Sequence, residues 1–218
     1  MNNQDDIKLG GSQTIPKPVV FEDFFLNPYR VRDIALSLNY WDCKDHPTGG
    51  NWPGERSLYV NLAASDVFES LTEAFYRLWG WPAVKLSLFD ANFQICKADD
   101  GDSWVHQDIM PQDYTHVAIV YLSPNPSPDS GTCFYKLEAD PQDQNYIDND
   151  GDPSHYSISY VSENVFNKCL VYSPDEFHKS NVYFGKNRSD SRLTLVSFIK
   201  EEGADNKFSQ PLSPPTWK

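Results

Sequence analysis

The sequence is short of positive charge. Its 218 residues hold 18 Lys and Arg against 31 Asp and Glu, a formal net charge of −13. A protein that grips a phosphate backbone needs a basic face to displace counterions, so the balance argues against a nucleic-acid module and against an anionic membrane surface. Long apolar runs are lacking as well, since no stretch approaches the roughly 20 residues of a membrane-spanning helix. The opening MNNQDDIKLGG has neither the basic nor the apolar region of an export signal, which sets the expectation of a cytoplasmic chain. Paired cysteines are missing too. Cys43, Cys96, Cys133 and Cys169 are scattered and form no C-x-x-C pair, and apolar or aromatic residues lie beside Cys96, Cys133 and Cys169, so the four read as reduced core residues.

Aromatic residues, by contrast, make up 14% of the chain and supply large apolar surfaces for a core. Residues 1–16 are polar and without period, and 203–218 are Pro-rich, so both read as tails around a single domain at 17–202. A short strand is expected at 19–21. Asn27 then offers an N-cap with Pro28 in the first helical position, and Val31, Ile34, Ala35 and Leu38 fall on one face. A second helix is expected from a Ser65 cap through DVFESLTEAFYRLW to a stop at Gly80, with Val67, Leu71, Ala74, Phe75 and Leu78 as its apolar stripe. The TGGNWPGERS segment between them reads as loop. From Val84 the helical period gives way to short strand-like runs, VKLSLFDANFQIC, SWVHQD, THVAIVYLS, GTCFYKLE, HYSISYV, NKCLVYS, HKSNVYF and RLTLVSFIK, separated by turn residues. Helical support over 17–82 followed by a β core over 83–202 predicts a mainly β, α+β chain built around a sandwich or jelly roll.

The longest irregular stretch is the acidic segment 139–154. Its DNDGD core fails the calcium-loop test. With Gly151 at loop position six, positions one and twelve are Tyr146 and Ser157, neither of them a charged ligand. It reads as a solvated loop or a lid.

Chemistry concentrates at His106 and Asp108 in WVHQD, at His178 in SPDEFHKSN, and at Arg192 in SRLTLVSFI. Two imidazoles and a carboxylate can hold one face of an octahedral metal and leave the opposite positions open. In extended backbone, residues i and i+2 point the same way, so His106 and Asp108 can reach one ion while Gln107 faces away. A distant strand can bring His178, because a sandwich draws its inner faces together. Arg192, Thr194, Val196 and Phe198 share a face of the last strand. If that face is internal, the guanidinium needs a partner, and a ligand carboxylate held also by the Thr194 hydroxyl would be one. Arg56, in PGERSLY, is either an ordinary surface arginine or a loop cation for an acidic substrate. His46, His116 and His155 lack partners at useful spacing and read as structural or surface residues, with His116 in the turn before its strand.

In order along the chain stand His106-x-Asp108, the strand VAIVYLSP, Gly131-Thr132 with Phe134, an apolar strand ending near Ser173-Pro174 before His178, and Arg192 before alternating apolar positions. This arrangement resembles the Fe(II)/2-oxoglutarate-dependent dioxygenase superfamily, in particular its small prolyl-4-hydroxylase-like bacterial and phage members. Prolyl hydroxylases commonly anchor the cosubstrate with Lys where this chain has Arg192, and loop 139–154 is longer than a minimal hairpin. The resemblance implies a double-stranded β-helix with helices packed on its larger sheet. It also implies Fe(II) at His106, Asp108 and His178, with O2 as co-reactant, and 2-oxoglutarate with its distal carboxylate on Arg192, Thr194, Tyr121 and Gln94 being further contacts. Succinate and CO2 would be released. Asp108 favours hydroxylation, because halogenating relatives lack this carboxylate. The implied substrate is a peptide, prolyl or otherwise, or a small molecule, with the oligomeric state open. Two rivals stand beside this reading: a non-catalytic cupin-like module that binds metal or a small acid, and a metal-dependent hydrolase or isomerase with the same ligands.

Overall fold

A computed structural model describes residues 18–79, 86–109, 114–138 and 153–201. The expected tails, the Gly80 helix stop and nearly all of loop 139–154 lie outside the described residues. Among the described residues no helix is long and apolar enough to cross a membrane.

Strand β1 (Val19–Phe21) leads into helix α1 (Pro28–Ser37). The Asn27 side chain caps this helix by accepting from the Arg30 N–H at 3.2 Å, with Pro28 in the first turn. Then come β2 (Trp41–Asp42), β3 (Glu55–Arg56), a short helix α2 (Val60–Ala63) and the long helix α3 (Ser65–Trp79). The β core follows: β4 (Leu86–Cys96), β5 (His116–Tyr121), β6 (Thr132–Leu137), β7 (Tyr156–Ser162), β8 (Cys169–Tyr172), β9 (Phe177–Ser180) and β10 (Arg192–Glu201). Two antiparallel sheets result, one of seven strands in the order β1-β8-β5-β10-β4-β3-β2 and one of three in the order β7-β6-β9. This is the double-stranded β-helix expected from the sequence, with its helices on the larger sheet.

Period-2 alternation divides the large sheet into two buried faces. Phe93, Ile95, Ala118, Val120, Leu193 and Leu195 point one way and share a core with Val31 and Ala35 of α1 and with Val67, Leu71 and Phe75 of α3. Val117, Ile119, Tyr121, Leu170, Tyr172, Val196 and Phe198 point the other way, toward Phe134 of the small sheet. Burial on both faces explains why HVAIVY reads as an unbroken apolar run.

Four details differ from the sequence reading. SWVHQD forms no strand of its own and is tied by a single bridge between His106 and His178. The ladder of HKSNVYF stops at Ser180. The end of the loop TGGNWPGERS is strand β3, which extends the large sheet by pairing with β2 and β4. His116 is the first residue of β5 and is fully buried, rather than part of the preceding turn.

The apolar pattern also missed two polar anchors. Arg32 on α1 is buried and donates to Leu122 O at 2.7 Å and to Ser189 O, which fixes the segment leading into β10. Asn167 holds a left-handed φ of 65°. Its side chain accepts from Phe25 N at 2.8 Å and donates to Phe25 O at 2.9 Å, tethering the chain before α1 to the turn before β8. Asn167→Ala removes two buried hydrogen bonds and puts a Cβ without local compensation in a left-handed conformation. It should cost about 3 kcal/mol in urea unfolding. A loss below about 0.5 kcal/mol would show that the tether carries no weight.

Candidate metal centre

The inner faces of the two sheets enclose a cavity of about 470 Å³. His178 enters it from β9, opposite Phe134 of β6, with which it is in register. His106 arrives on the bridged segment, where its N–H donates to His178 O at 3.0 Å and the His178 N–H returns a bond to His106 O at 2.9 Å. Asp108 follows two residues on, its own N–H held by Pro174 O at 2.9 Å. These backbone bonds do what a longer strand was expected to do. They set His106 and Asp108 on one side, facing His178.

Ligand atoms from His106, Asp108 and His178 all lie within 4.8 Å of one another. His178 Nε2 is 3.2 Å from Asp108 Oδ2, and His106 Nε2 is 3.9 Å from Asp108 Oδ1. The other ring nitrogens are committed to backbone carbonyls: His106 Nδ1 lies 2.9 Å from Trp104 O and His178 Nδ1 lies 2.8 Å from Glu176 O. A carbonyl only accepts, so each Nδ1 carries the proton and each Nε2 offers its lone pair to the centre. Glycine matters at the neighbouring strand start. A Cβ at Gly131 would meet Ser162 O at 1.7 Å, so only glycine lets β6 approach β7 here.

Electrostatics fit a cation site. Burial, aided by the adjacent His178, pulls the His106 imidazole below its ordinary range and keeps it neutral. Burial lowers His178 as well and raises Asp108, but the attraction between these two outweighs it. Against that desolvation the Asp108 carboxylate raises His178, and His178 with His106 holds Asp108 below the usual carboxylate range. Burial drives the Tyr172 hydroxyl well above the ordinary phenol, so it stays protonated 3.1 Å from His178 Nε2 and donates to Asp108 Oδ2 at 3.4 Å. Tyr172 went unnoticed in the sequence, although the alternation Leu170, Tyr172 places it on the inner face.

Arg192 starts β10 and is 2% exposed. Its Nε donates to Ser130 O at 3.0 Å and its guanidinium lies 5.6 Å from the Tyr121 ring centroid. Nη2 has no hydrogen-bond partner among the described residues, and neither does the buried Thr194 hydroxyl two residues on. Both residues line the same cavity as the triad. Two orphaned donors side by side, one of them charged, fit the end of a carboxylate ligand. Tyr121 is fully buried, with its hydroxyl 2.7 Å from Thr132 Oγ1. Gln94 lines the cavity, but its amide donates to Pro53 O at 2.8 Å and accepts from Arg56 Nη2 at 3.1 Å. The structure thus brings His106, Asp108, His178, Arg192 and Thr194 to one cavity and turns the polar ends of Tyr121 and Gln94 to protein partners.

Arg56 is no ordinary surface residue. It lines this cavity, with its guanidinium 4.5 Å from the Trp52 ring centroid. His46 is buried, its Nε2 lies 3.0 Å from Ser57 O, and its ring stands edge-on to Trp52 at 5.2 Å, a structural support for that wall.

No family model matches the sequence, and no curated protein matches it. Solved structures match in fold. HygX from Streptomyces hygroscopicus, solved with nickel, 2-oxoglutarate and hygromycin B bound, is 14% identical with a TM-score of 0.54, over 84% of this chain and 82% of that one. SnoN, the non-heme alpha-ketoglutarate-dependent epimerase from nogalamycin biosynthesis, is 13% identical with a TM-score of 0.50, over 89% of this chain and 87% of that one. A prolyl 4-hydroxylase from Phytophthora capsici aligns with 66% of this chain at 11% identity and a TM-score of 0.41, and the chain spans only 44% of that protein's length. At such identities the likeness is one of architecture. The chain has the fold of the Fe(II)/2-oxoglutarate oxygenases.

Proposed function

We propose that this chain, carrying that fold, is an Fe(II)- and 2-oxoglutarate-dependent oxygenase that hydroxylates a peptide or small-molecule substrate with release of succinate and CO2. The observation that carries the reading is the joint presence, in one cavity, of a triad with both Nε2 atoms turned inward and of the unpartnered Arg192 Nη2 and Thr194 Oγ1.

His106, Asp108 and His178 would hold the iron on one face, leaving adjacent positions for cosubstrate and O2. Bound there, iron supplies the oxygen-activating redox chemistry that no side chain can perform. The chain's own part is positional. Trp104 O and Glu176 O fix the imidazole tautomers, and the Tyr172 hydroxyl steadies Asp108. Arg192 and Thr194 would receive the distal carboxylate of 2-oxoglutarate and set how far it reaches toward the triad. Phe134 and Tyr172 pack against each other and against the His178 ring, giving the triad an apolar wall. A cavity near 470 Å³ is within the range of small-ligand sites, which supports a small molecule or one peptide side chain. The acidic balance argues against nucleic acid as substrate, and four free cysteines support a reducing, cytoplasmic setting.

Turnover tests the reading. The protein supplied with Fe(II) and 2-oxoglutarate should form succinate in air, slowly without a prime substrate, and none under argon. Tight binding of both ligands with no succinate in air across a broad substrate panel would favour the cupin-like binding module. Zinc-supported activity that persists without oxygen would favour the hydrolase.

A further inference from the structure

The cavity holds a second set of buried donors that the triad and the Arg192 anchor leave unused. Arg56 on β3 pairs with Gln94, Gln94 with Thr194, and Thr194 with Tyr121. Residues directly opposite in an antiparallel ladder share a face, so this row places Arg56 on the same inner face as Arg192. The guanidinium is fixed on two sides. Nη2 donates to Gln94 Oε1 at 3.1 Å and the plane rests over Trp52, while Gln94 is itself held by Pro53 O. Among the described residues its buried Nε has no hydrogen-bond partner, and the Trp52 indole Nε1 is in the same condition. Gly50 makes the arrangement possible: at φ 149°, a Cβ there would lie 1.5 Å from the Trp52 ring.

Arg56 forms no ion pair among the described residues. The acids of the cavity are otherwise engaged. Asp108 belongs to the triad, and Asp90 accepts from the Tyr114 hydroxyl at a point four residues along β4, about 13 Å from Gln94 at strand spacing. Two adjacent buried N–H donors, one on a cation, need an acceptor, since orphaned buried donors are rare. 2-Oxoglutarate cannot supply it while one carboxylate meets the metal and the other meets Arg192. We infer that the prime substrate carries a carboxylate, received by Arg56 Nε and Trp52 Nε1, so that this enzyme acts on an acidic small molecule or an acidic residue of a peptide. The inference rests on the oxygenase reading above and narrows it to a substrate class. Trp52 holds the guanidinium by its face, and a planar guanidinium fork suits a carboxylate better than a point charge would.

The test uses the full chain loaded anaerobically with Fe(II) and 2-oxoglutarate. It is titrated with matched pairs, N-acetylglutamate against N-acetylglutamine and N-acetylaspartate against N-acetylasparagine, while the absorption of the iron–2-oxoacid centre is followed. Each acid should perturb the centre at a concentration at least about 10-fold lower than its amide, as a charged hydrogen bond requires. Arg56→Gln should erase that preference to within about twofold and leave 2-oxoglutarate affinity within about twofold of the parent. Trp52→Phe, which keeps the ring under the guanidinium, should reduce the preference about threefold and serves where Arg56→Gln fails to fold. Parent protein that binds 2-oxoglutarate but prefers no acid over its amide overturns the inference alone. An Arg56→Gln variant that loses 2-oxoglutarate binding also overturns it, by assigning Arg56 to the cosubstrate. Failure of the parent to bind 2-oxoglutarate at all overturns the functional reading and this inference together.

Discussion

His178→Ala is expected to weaken Fe(II) binding by more than about 100-fold and to bring succinate formation below detection, because loss of even an outer partner of a metal ligand costs 10–100-fold. The residue is 4% exposed and makes two contributions. Its Nε2 faces the centre and lies 3.2 Å from Asp108 Oδ2, and its Nδ1–H fixes the tautomer on Glu176 O. Without it the remaining pair, His106 and Asp108, offers the metal two protein ligands instead of three. Asp108→Asn is the companion variant. It keeps the shape and removes the charge, so it separates loss of a ligand from loss of packing. Metal affinity should fall in both variants while far-ultraviolet circular dichroism stays that of the parent. Undiminished Fe(II) affinity in both, measured by anaerobic titration, would sink the metal assignment.

Arg192→Met is expected to separate binding from stability. A charged hydrogen bond is worth roughly 1.5–3 kcal/mol, so 2-oxoglutarate affinity should fall about 10–100-fold with iron still held. Folding should not suffer in proportion. Arg192 is almost fully buried, and among the described residues its Nε makes one hydrogen bond and its Nη2 has no partner. Replacing a buried charge that lacks a full set of partners by an apolar side chain of similar length is often neutral or stabilising. The ligand-free variant should therefore unfold at the parent's urea midpoint or above it. A parent-like 2-oxoglutarate affinity would place the anchor elsewhere, and a large loss of stability would make Arg192 a structural residue.

Features that follow a period were legible in the sequence. Alternation along RLTLVSFIK set Arg192 and Thr194 apart from Leu193 and Leu195, and the structure puts the first pair in the cavity and the second under the helices. The same rule paired His106 with Asp108, although one bridge to His178 and a bond to Pro174, rather than a full strand, enforce the geometry. Helix α3 was legible because Val67, Leu71 and Phe75 repeat at helical spacing and all are buried. What stayed hidden has no period to betray it. Strand β3 is two residues long at the end of a Pro/Gly-rich run, so nothing local shows that Arg56 joins the sheet and turns inward. Its partner Trp52 lies four residues earlier in that same irregular segment. Arg32 is a charged residue on an amphipathic helix, and nothing local shows that Leu122 O and Ser189 O, far along the chain, come to meet it. Gln94 was expected to touch the cosubstrate, and it lines the cavity. Its amide, however, is spent on Pro53 O and Arg56.

Everything above turns on 2-oxoglutarate binding between the metal triad and Arg192 in one cavity. Anaerobic titration of 2-oxoglutarate into the Fe(II)-loaded protein, followed by the absorption band of an iron-chelated 2-oxoacid, tests it most directly. A saturable band is expected at one 2-oxoglutarate per chain, shifted to about 10–100-fold higher concentration in Arg192→Met and absent in His178→Ala. Iron-loaded parent protein that shows no such band at any concentration of 2-oxoglutarate would contradict it.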